Sequence, residues 1–267
     1  MYSGKLCGFA YLDRKLCALL LCISVGITLS VVLIGLCNAR RIRTVRYTVK
    51  LPVKKACKAV FFSDLHLGAF CSLGHVQKVV DTIQKEAPEL ILFGGDLWDM
   101  DLTSQKKCDR YAEMLASLGG ILGCEGNHDL FTREDKQKNA FLEKANICIP
   151  GDTPVTHPQT QLKIYARKSC RSARAALLPT VDILLDHEPK MAEQAISFGI
   201  PLVLCGHTHR GQTFPGNILR SLSTPYFYGL HKKAKSTVIT TAGCGSTGLA
   251  LRFGTTGEIV SIQIEPM

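Results

Sequence analysis

Eight side chains able to bind a metal ion occur in five short clusters: Asp64 and His66, Asp96, Asn127 and His128, His187, and His207 and His209. Imidazole, carboxylate and amide oxygen without thiolate suit borderline or hard divalent ions such as manganese, iron, zinc or cobalt. The set is too large for one tetrahedral ion. A carboxylate shared between two ions about 3.5–4 Å apart gives the spacing used for in-line displacement at phosphorus. Such ions bind phosphoryl oxygens and lower the pKa of a water, whose hydroxide becomes the nucleophile. The leaving alkoxide then needs a proton, which a histidine of near-neutral pKa can supply.

An apolar run precedes each cluster. AVFFS (59–63), LILFGG (90–95), GGILGCEG (119–126), VDILL (181–185) and PLVLC (201–205) read as strands leading into loops. Amphipathic stretches at 73–85, 104–117, 133–144 and 189–198 read as the intervening helices. The C-terminal part reads as strands at STVITTAG, LALRF and EIVSIQIE. Strand–helix alternation followed by strands predicts an α/β sandwich. Ligands in open α/β sheets sit beyond the carboxyl ends of the strands, which is where the five clusters fall. Gly94, Gly95, Gly126 and Gly206 are expected to form tight loops beside the ions.

SDLHLG (63–68), GGDLWD (94–99), EGNHD (125–129), LDHEP (185–189) and CGHTHRGQ (205–212) resemble, in order and spacing, the five motifs of calcineurin-like metallophosphoesterases. The match covers roughly residues 59–264, and the pattern looks like a membrane-associated bacterial branch of that superfamily. The resemblance implies a four-layer α-β-β-α sandwich. It also implies that Asp64, His66 and His209 hold one ion, that Asn127, His187 and His207 hold a second, and that Asp96 bridges them. His128 would contact the substrate phosphate and protonate the leaving oxygen, with Asp99 orienting its ring. Manganese comes first among the candidate metals. Asp99 has a second reading, as a cap of the next helix, and Asp129 is expected to cap the helix after it. Two readings fit Arg210: a phosphate contact or a solvated side chain. Trp98 is expected to pack, and His75, His157 and His231 to lie outside the site. The chain departs from the pattern at 150–180, which is short and basic, and at 243–252, which lacks an aromatic many relatives carry.

Charge is distributed unevenly. Residues 1–58 hold 11 of the 32 Lys/Arg and one of the 22 Asp/Glu, leaving 21 of each in the remainder. A neutral catalytic segment argues against nucleic acid as a partner and against a nuclease. The basic stretch flanks 22 uncharged residues, 16–37, the length of a membrane-spanning helix. A signal-peptide core runs only about 7–15 residues, so a retained anchor is expected, although Cys37-Asn38-Ala39 would fit cleavage. The division expected is a leader at 1–15, a span at 16–37, a basic connector at 38–58 with strand character from Val45 to Val49, and a phosphoesterase domain at 59–267. The basic residues after the span place that domain in the cytoplasm. Twelve cysteines without zinc-finger spacing read mainly as reduced thiols.

The leading expectation is a hydrolase of phosphomonoesters or phosphodiesters, on a membrane or lipid-linked substrate. One alternative is a UDP-diacylglucosamine-type pyrophosphatase of lipid A synthesis, although some relatives with that activity carry Arg in place of the residue that is His128 here. A non-catalytic metal-binding scaffold is the alternative from another class; such proteins lose ligands that this sequence keeps.

Overall fold

The computed structural model describes residues 14–99, 104–130, 135–151, 153–167 and 179–267. Helix α1 (Arg14–Ala39) carries the uncharged stretch, with its apolar side chains largely exposed. Its 26 residues, at about 1.5 Å each, extend about 39 Å, which exceeds a hydrocarbon core of about 30 Å. Among the described residues it is the one helix long and apolar enough to cross a membrane.

Strand β1 (Ile42–Leu51) begins just after α1 and is followed by β2 (Cys57–Phe62), α2 (Leu73–Lys85), β3 (Leu90–Phe93), α3 (Gln105–Ala116) and β4 (Ile121–Gly123). Next come α4 (Asp135–Lys144), β5 (Ile147–Cys148), β6 (Val155–Thr156), β7 (Lys163–Ala166) and β8 (Ile183–Leu185). The chain closes with α5 (Ala192–Ser197), β9 (Leu202–Cys205), α6 (Gly216–Ser223), β10 (Gly229–Lys233), β11 (Ser236–Thr240) and β12 (Gly257–Pro266). Two six-stranded sheets result, in the orders β1-β12-β2-β3-β4-β5 and β10-β11-β9-β8-β7-β6.

Alternation along the strands builds the layers, because successive side chains point to opposite faces. Val60 and Phe62 of β2, with Ile91 and Phe93 of β3, meet the apolar faces of α2, α3 and α4. Ala59, Phe61, Leu90 and Leu92 point the other way, to meet Leu202 and Leu204 of β9 and Ile183 and Leu185 of β8. Val203 and Cys205 of β9 then face Ala192 and Ala195 of α5. These are the four α-β-β-α layers. Helix α2 shows the local logic: Val76, Val79, Val80 and Ile83 recur at helical spacing and are fully buried. Ser72 caps it by accepting a hydrogen bond from the His75 N–H at 3.1 Å.

Strand β1 is twice as long as its expected core at Val45–Val49, and it pairs in parallel with β12 along its whole length. The buried Glu258 carboxylate locks this edge, accepting from Arg43 at 2.8 Å, Tyr228 Oη at 3.0 Å and the Ala242 N–H at 3.0 Å. One expected strand is absent. LALRF at 249–253 forms no strand, only a single bridge from Phe253 to Thr213. Gly248 and Gly254 flank it with φ of +64° and +78°, which a strand cannot use. The Arg252 side chain is fully buried there. The 189–198 helix splits into a 3-10 turn, Pro189–Met191, and α5. Residues 1–13 of the expected leader, and 168–178 of the basic segment, lie outside the described residues.

Leu204 sits in the layer between the sheets with no exposure. Leu204→Ala should lower the unfolding free energy by about 2–5 kcal/mol, read as a reduced denaturant midpoint of the detergent-solubilised chain.

Candidate metal centre

Five strand ends meet at one edge of the sandwich. Beyond β2 lie Asp64 and His66, beyond β3 Asp96, beyond β4 Asn127 and His128, beyond β8 His187, and beyond β9 His207 and His209. Donor atoms of Asp64, His66 and His209 fall within 4.8 Å of one another, and so do those of Asp96, His187 and His207. A third group, His66, Asp96 and His128, overlaps both through Asp96 and His66. Asn127 Oδ1 lies 2.8 Å from His207 Nδ1, which adds an amide oxygen to the Asp96 group.

The backbone at these loops is unusual. Asp64, His66, Asp96, His207 and His209 all have left-handed φ, between 48° and 69°. Such conformations cost non-glycine residues on the order of 1–3 kcal/mol each and cluster where function over-determines the backbone. Each turns a side chain sharply from its strand into the shared space. Gly126 and Gly206 allow the close approach: a Cβ on Gly126 would overlap the Asp96 carboxylate, and one on Gly206 would come within 2.5 Å of Asp64 Oδ2.

The donors suit divalent ions. The Nε2 atoms of His66 and His209 face each other at 3.1 Å, too close for each to carry a proton toward the other. His187 donates from Nδ1 to the Gly94 carbonyl at 2.7 Å, which turns Nε2 toward Asp96 Oδ2 at 3.1 Å. That bond fixes the tautomer a ligating histidine needs. Burial drives His66, His207 and His209 below the usual histidine range, so they are neutral near pH 7, the ligating form. Burial opposes the charging of His187, yet Asp96 and Asp64 outweigh it and push its pKa upward. Burial likewise raises Asp64, while at Asp96 it is outweighed by the His187 and His66 rings and the His128 N–H, which hold its carboxyl down. Two buried carboxylates among three buried imidazoles and the half-buried His207 form a centre that divalent cations can neutralise.

His128 stands at the rim, its ring edge-on to His66 at 4.9 Å between centroids and its Nδ1 3.6 Å from Asp99 Oδ1. Asp99 is not the described cap of α3, whose N-cap is Ser104. Arg210 stacks on Tyr228, 4.4 Å from the ring centre. Trp98 packs edge-on against Phe141. His75 bonds the Cys244 carbonyl, His157 contacts Thr160, and His231 bonds the Tyr228 carbonyl. None of these three belongs to a metal-competent group among the described residues.

Two supporting residues were not foreseen. Asp129, expected to cap a helix, instead accepts from four backbone N–H groups, of Asp96, Leu97, Trp98 and Gly126, at 2.8–3.1 Å. It thereby fixes the loop that carries Asp96. Arg252 donates to the carbonyls of Gly245 and Ala242 at 2.6 and 2.8 Å, and its Nη2 lies 3.3 Å from His209 Nδ1. A lone arginine inside the glycine-bounded apolar run LALRF was the available signal, since a buried guanidinium must be paired.

The family model described as calcineurin-like phosphoesterase matches residues 57–211. An uncharacterized metallophosphoesterase of Helicobacter pylori (strain ATCC 700392 / 26695) is 30% identical over 87% of this chain and 65% of its own length. A transmembrane protein with metallophosphoesterase domain from Danio rerio is 27% identical over 90% of this chain and 61% of its own. Phosphodiesterase YaeI of Escherichia coli (strain K12) is 27% identical over 78% and 82%. The chain thus spans 65% of the length of the Helicobacter pylori relative.

Asp129→Asn replaces one acceptor oxygen by a donor facing backbone N–H groups. It should lower stability by about 1–3 kcal/mol and reduce the metal bound per chain, measured by elemental analysis after dialysis.

Proposed function

The chain belongs to the calcineurin-like phosphoesterase family, and on that premise we propose that it is a membrane-anchored, metal-dependent hydrolase of phosphomonoesters or phosphodiesters. The observation that carries this reading is the pair of donor groups joined through Asp96, with His128 at their rim. Asp64, His66 and His209 would hold one divalent ion, and Asn127, His187 and His207 the other, with Asp96 shared. Manganese is the metal proposed. When bound, the ions would supply Lewis-acid polarisation of the phosphoryl oxygens and activation of a water.

The chain's own residues supply the rest. The Gly94 carbonyl and the His207 N–H, bonded to His187 and Asp64 respectively, keep those two donors aimed into the centre. His128 has 24% of its side chain exposed, so its ring reaches a bound substrate while its backbone N–H stays anchored on Asp96 at 2.8 Å. From that position it donates a proton to the leaving oxygen. Asp99 acts on the same ring through Nδ1 and turns it toward the substrate. Helix α1 anchors the chain in the bilayer, and the basic residues that follow it favour a cytoplasmic catalytic domain.

The test uses the full-length protein with a chromogenic phosphodiester and the matching monoester. Turnover should depend on added manganese and vanish with chelator. His128→Ala should lower kcat by about 10²–10⁴-fold while metal content stays intact. Asp96→Asn should lose both turnover and metal. Metal-loaded His128→Ala with wild-type kcat would remove the proposed acid. A folded, metal-loaded wild-type chain inert toward both esters would point to a binding role instead. A reporter fused to the C-terminus should be active only in the cytoplasm.

A further inference from the structure

Helix α6 presents an apolar face that nothing among the described residues covers. Ile218, Leu219 and Leu222 share one side at helical spacing, and Leu219 and Leu222 are 64% and 81% exposed. Phe214 just before the helix is 54% exposed, and Leu249, in the loop whose Thr247 N–H and Phe253 carbonyl bond Gln212 and Phe214, is 66% exposed. Soluble surfaces rarely group large apolar side chains in this way. Arg220, on the side of α6 opposite that face, and Ser223, next to it, line a cleft of about 350 Å3 that reaches His207 and Glu188. One short helix thus separates the metal centre from an exposed apolar surface.

The position of α1 says what covers that surface. The Gly35 carbonyl accepts from the Arg252 N–H at 3.0 Å, and a Cβ on Gly35 would come within 2.7 Å of the Leu251 side chain. Gly35 lies inside the uncharged stretch that ends at Cys37, by about 3 Å along the helix axis. Phe253, next to Arg252, bonds Phe214 at 2.9 Å, and Phe214 leads into α6. A smaller cavity of about 130 Å3 is bounded by Leu36 and Ala39 of α1, by Phe70 and by His66. The domain therefore touches the span within its apolar length, and α6 is joined to that contact through adjacent residues.

We propose that the patch formed by Phe214, Ile218, Leu219, Leu222 and Leu249 inserts into the boundary between headgroups and acyl chains of the bilayer that α1 spans. The cleft then opens at headgroup level, and the substrate class is a phosphoester carried on a lipid. This rests on the reading of α1 as a membrane anchor and of the metal centre as a phosphoesterase. An amphipathic helix lying in the interface needs an apolar face with polar residues opposite, and α6 has both.

The test inserts single tryptophans into the full-length chain in nanodiscs of phosphatidylcholine and phosphatidylglycerol. The native Trp98 is 2% exposed and gives a constant background. Leu219→Trp and Leu222→Trp should emit at shorter wavelength and be quenched when the acyl chains carry bromine; Val25→Trp in α1 is the reference for the anchor. Quenching at Val25→Trp without quenching on α6 overturns the proposal and leaves the anchor standing. Absence of quenching at all three positions overturns the anchor and the proposal together. A blue shift on α6 without bromine quenching also overturns it, because a protein surface, such as a second copy of the chain, then covers the patch. In the same nanodiscs the double variant Leu219→Asp/Leu222→Asp should lower turnover of an acyl-anchored chromogenic phosphodiester on the order of tenfold. Its rate on the soluble diester should stay unchanged. Equal rates for variant and wild type on the anchored ester, or equal losses on both esters, would overturn the lipid-borne substrate.

Discussion

Two carboxylates, Asp64 and Asp96, are buried side by side at the ends of adjacent parallel strands, and much of the fold follows from the need to satisfy them. Charge taken out of water costs several kcal/mol unless it is paired and hydrogen-bonded. Here the pairing comes from His187 and from backbone N–H groups of loops that begin on other strands. Those loops can converge only because the two sheets pack face to face with their carboxyl ends at one edge. Left-handed turns at five residues bring the side chains in, and Gly126 and Gly206 leave space for the carboxylates. The inter-sheet core keeps this arrangement rigid, since close-packed interiors resist deformation.

A second set of contacts holds the scaffold around the centre. Asp129 gathers four N–H groups and sets the path of the loop after β3. Arg252 gathers carbonyls from the loop after β11 and touches the outer nitrogen of His209. Both are buried charges whose partners are mostly backbone, so they shape loops rather than enter chemistry. Glu258 does similar work at the edge where β1 meets β12. Because β1 follows α1 after two residues, the same edge couples the sandwich to the apolar helix.

The basic stretch after α1 divides in two. Arg43 is bound to Glu258 and Arg46 to Glu86, so part of the N-terminal charge excess is spent on the sheet edge and on α2. Arg40 and Arg41 stay exposed at the end of the apolar helix, and Lys50 is exposed near the far end of β1. Each buried thiol, such as Cys124 or Cys205, packs as a small apolar group in the sandwich, and the ten described cysteines are all free.

The sequence alone determined the five strands that lead into the donor clusters, the helix at 73–85 to the residue, the uncharged stretch of α1, and the five clusters whose donors meet at one edge. These were legible because alternation, helical periodicity and loop glycines are local signals. The sequence left three things undecided. LALRF reads as a strand, but its flanking glycines take left-handed φ and its arginine has to be satisfied by distant carbonyls. Asp129 reads as a helix cap, yet the N–H groups that need its carboxylate come from a loop some thirty residues earlier in the chain. Helix α6 has no counterpart among the elements expected from the sequence, and the exposure of its apolar face depends on what the fold leaves uncovered. Local periodicity fixes which face of an element is apolar. Only the packed tertiary structure decides which buried charge meets which backbone group, and which apolar face the protein leaves for something else to cover.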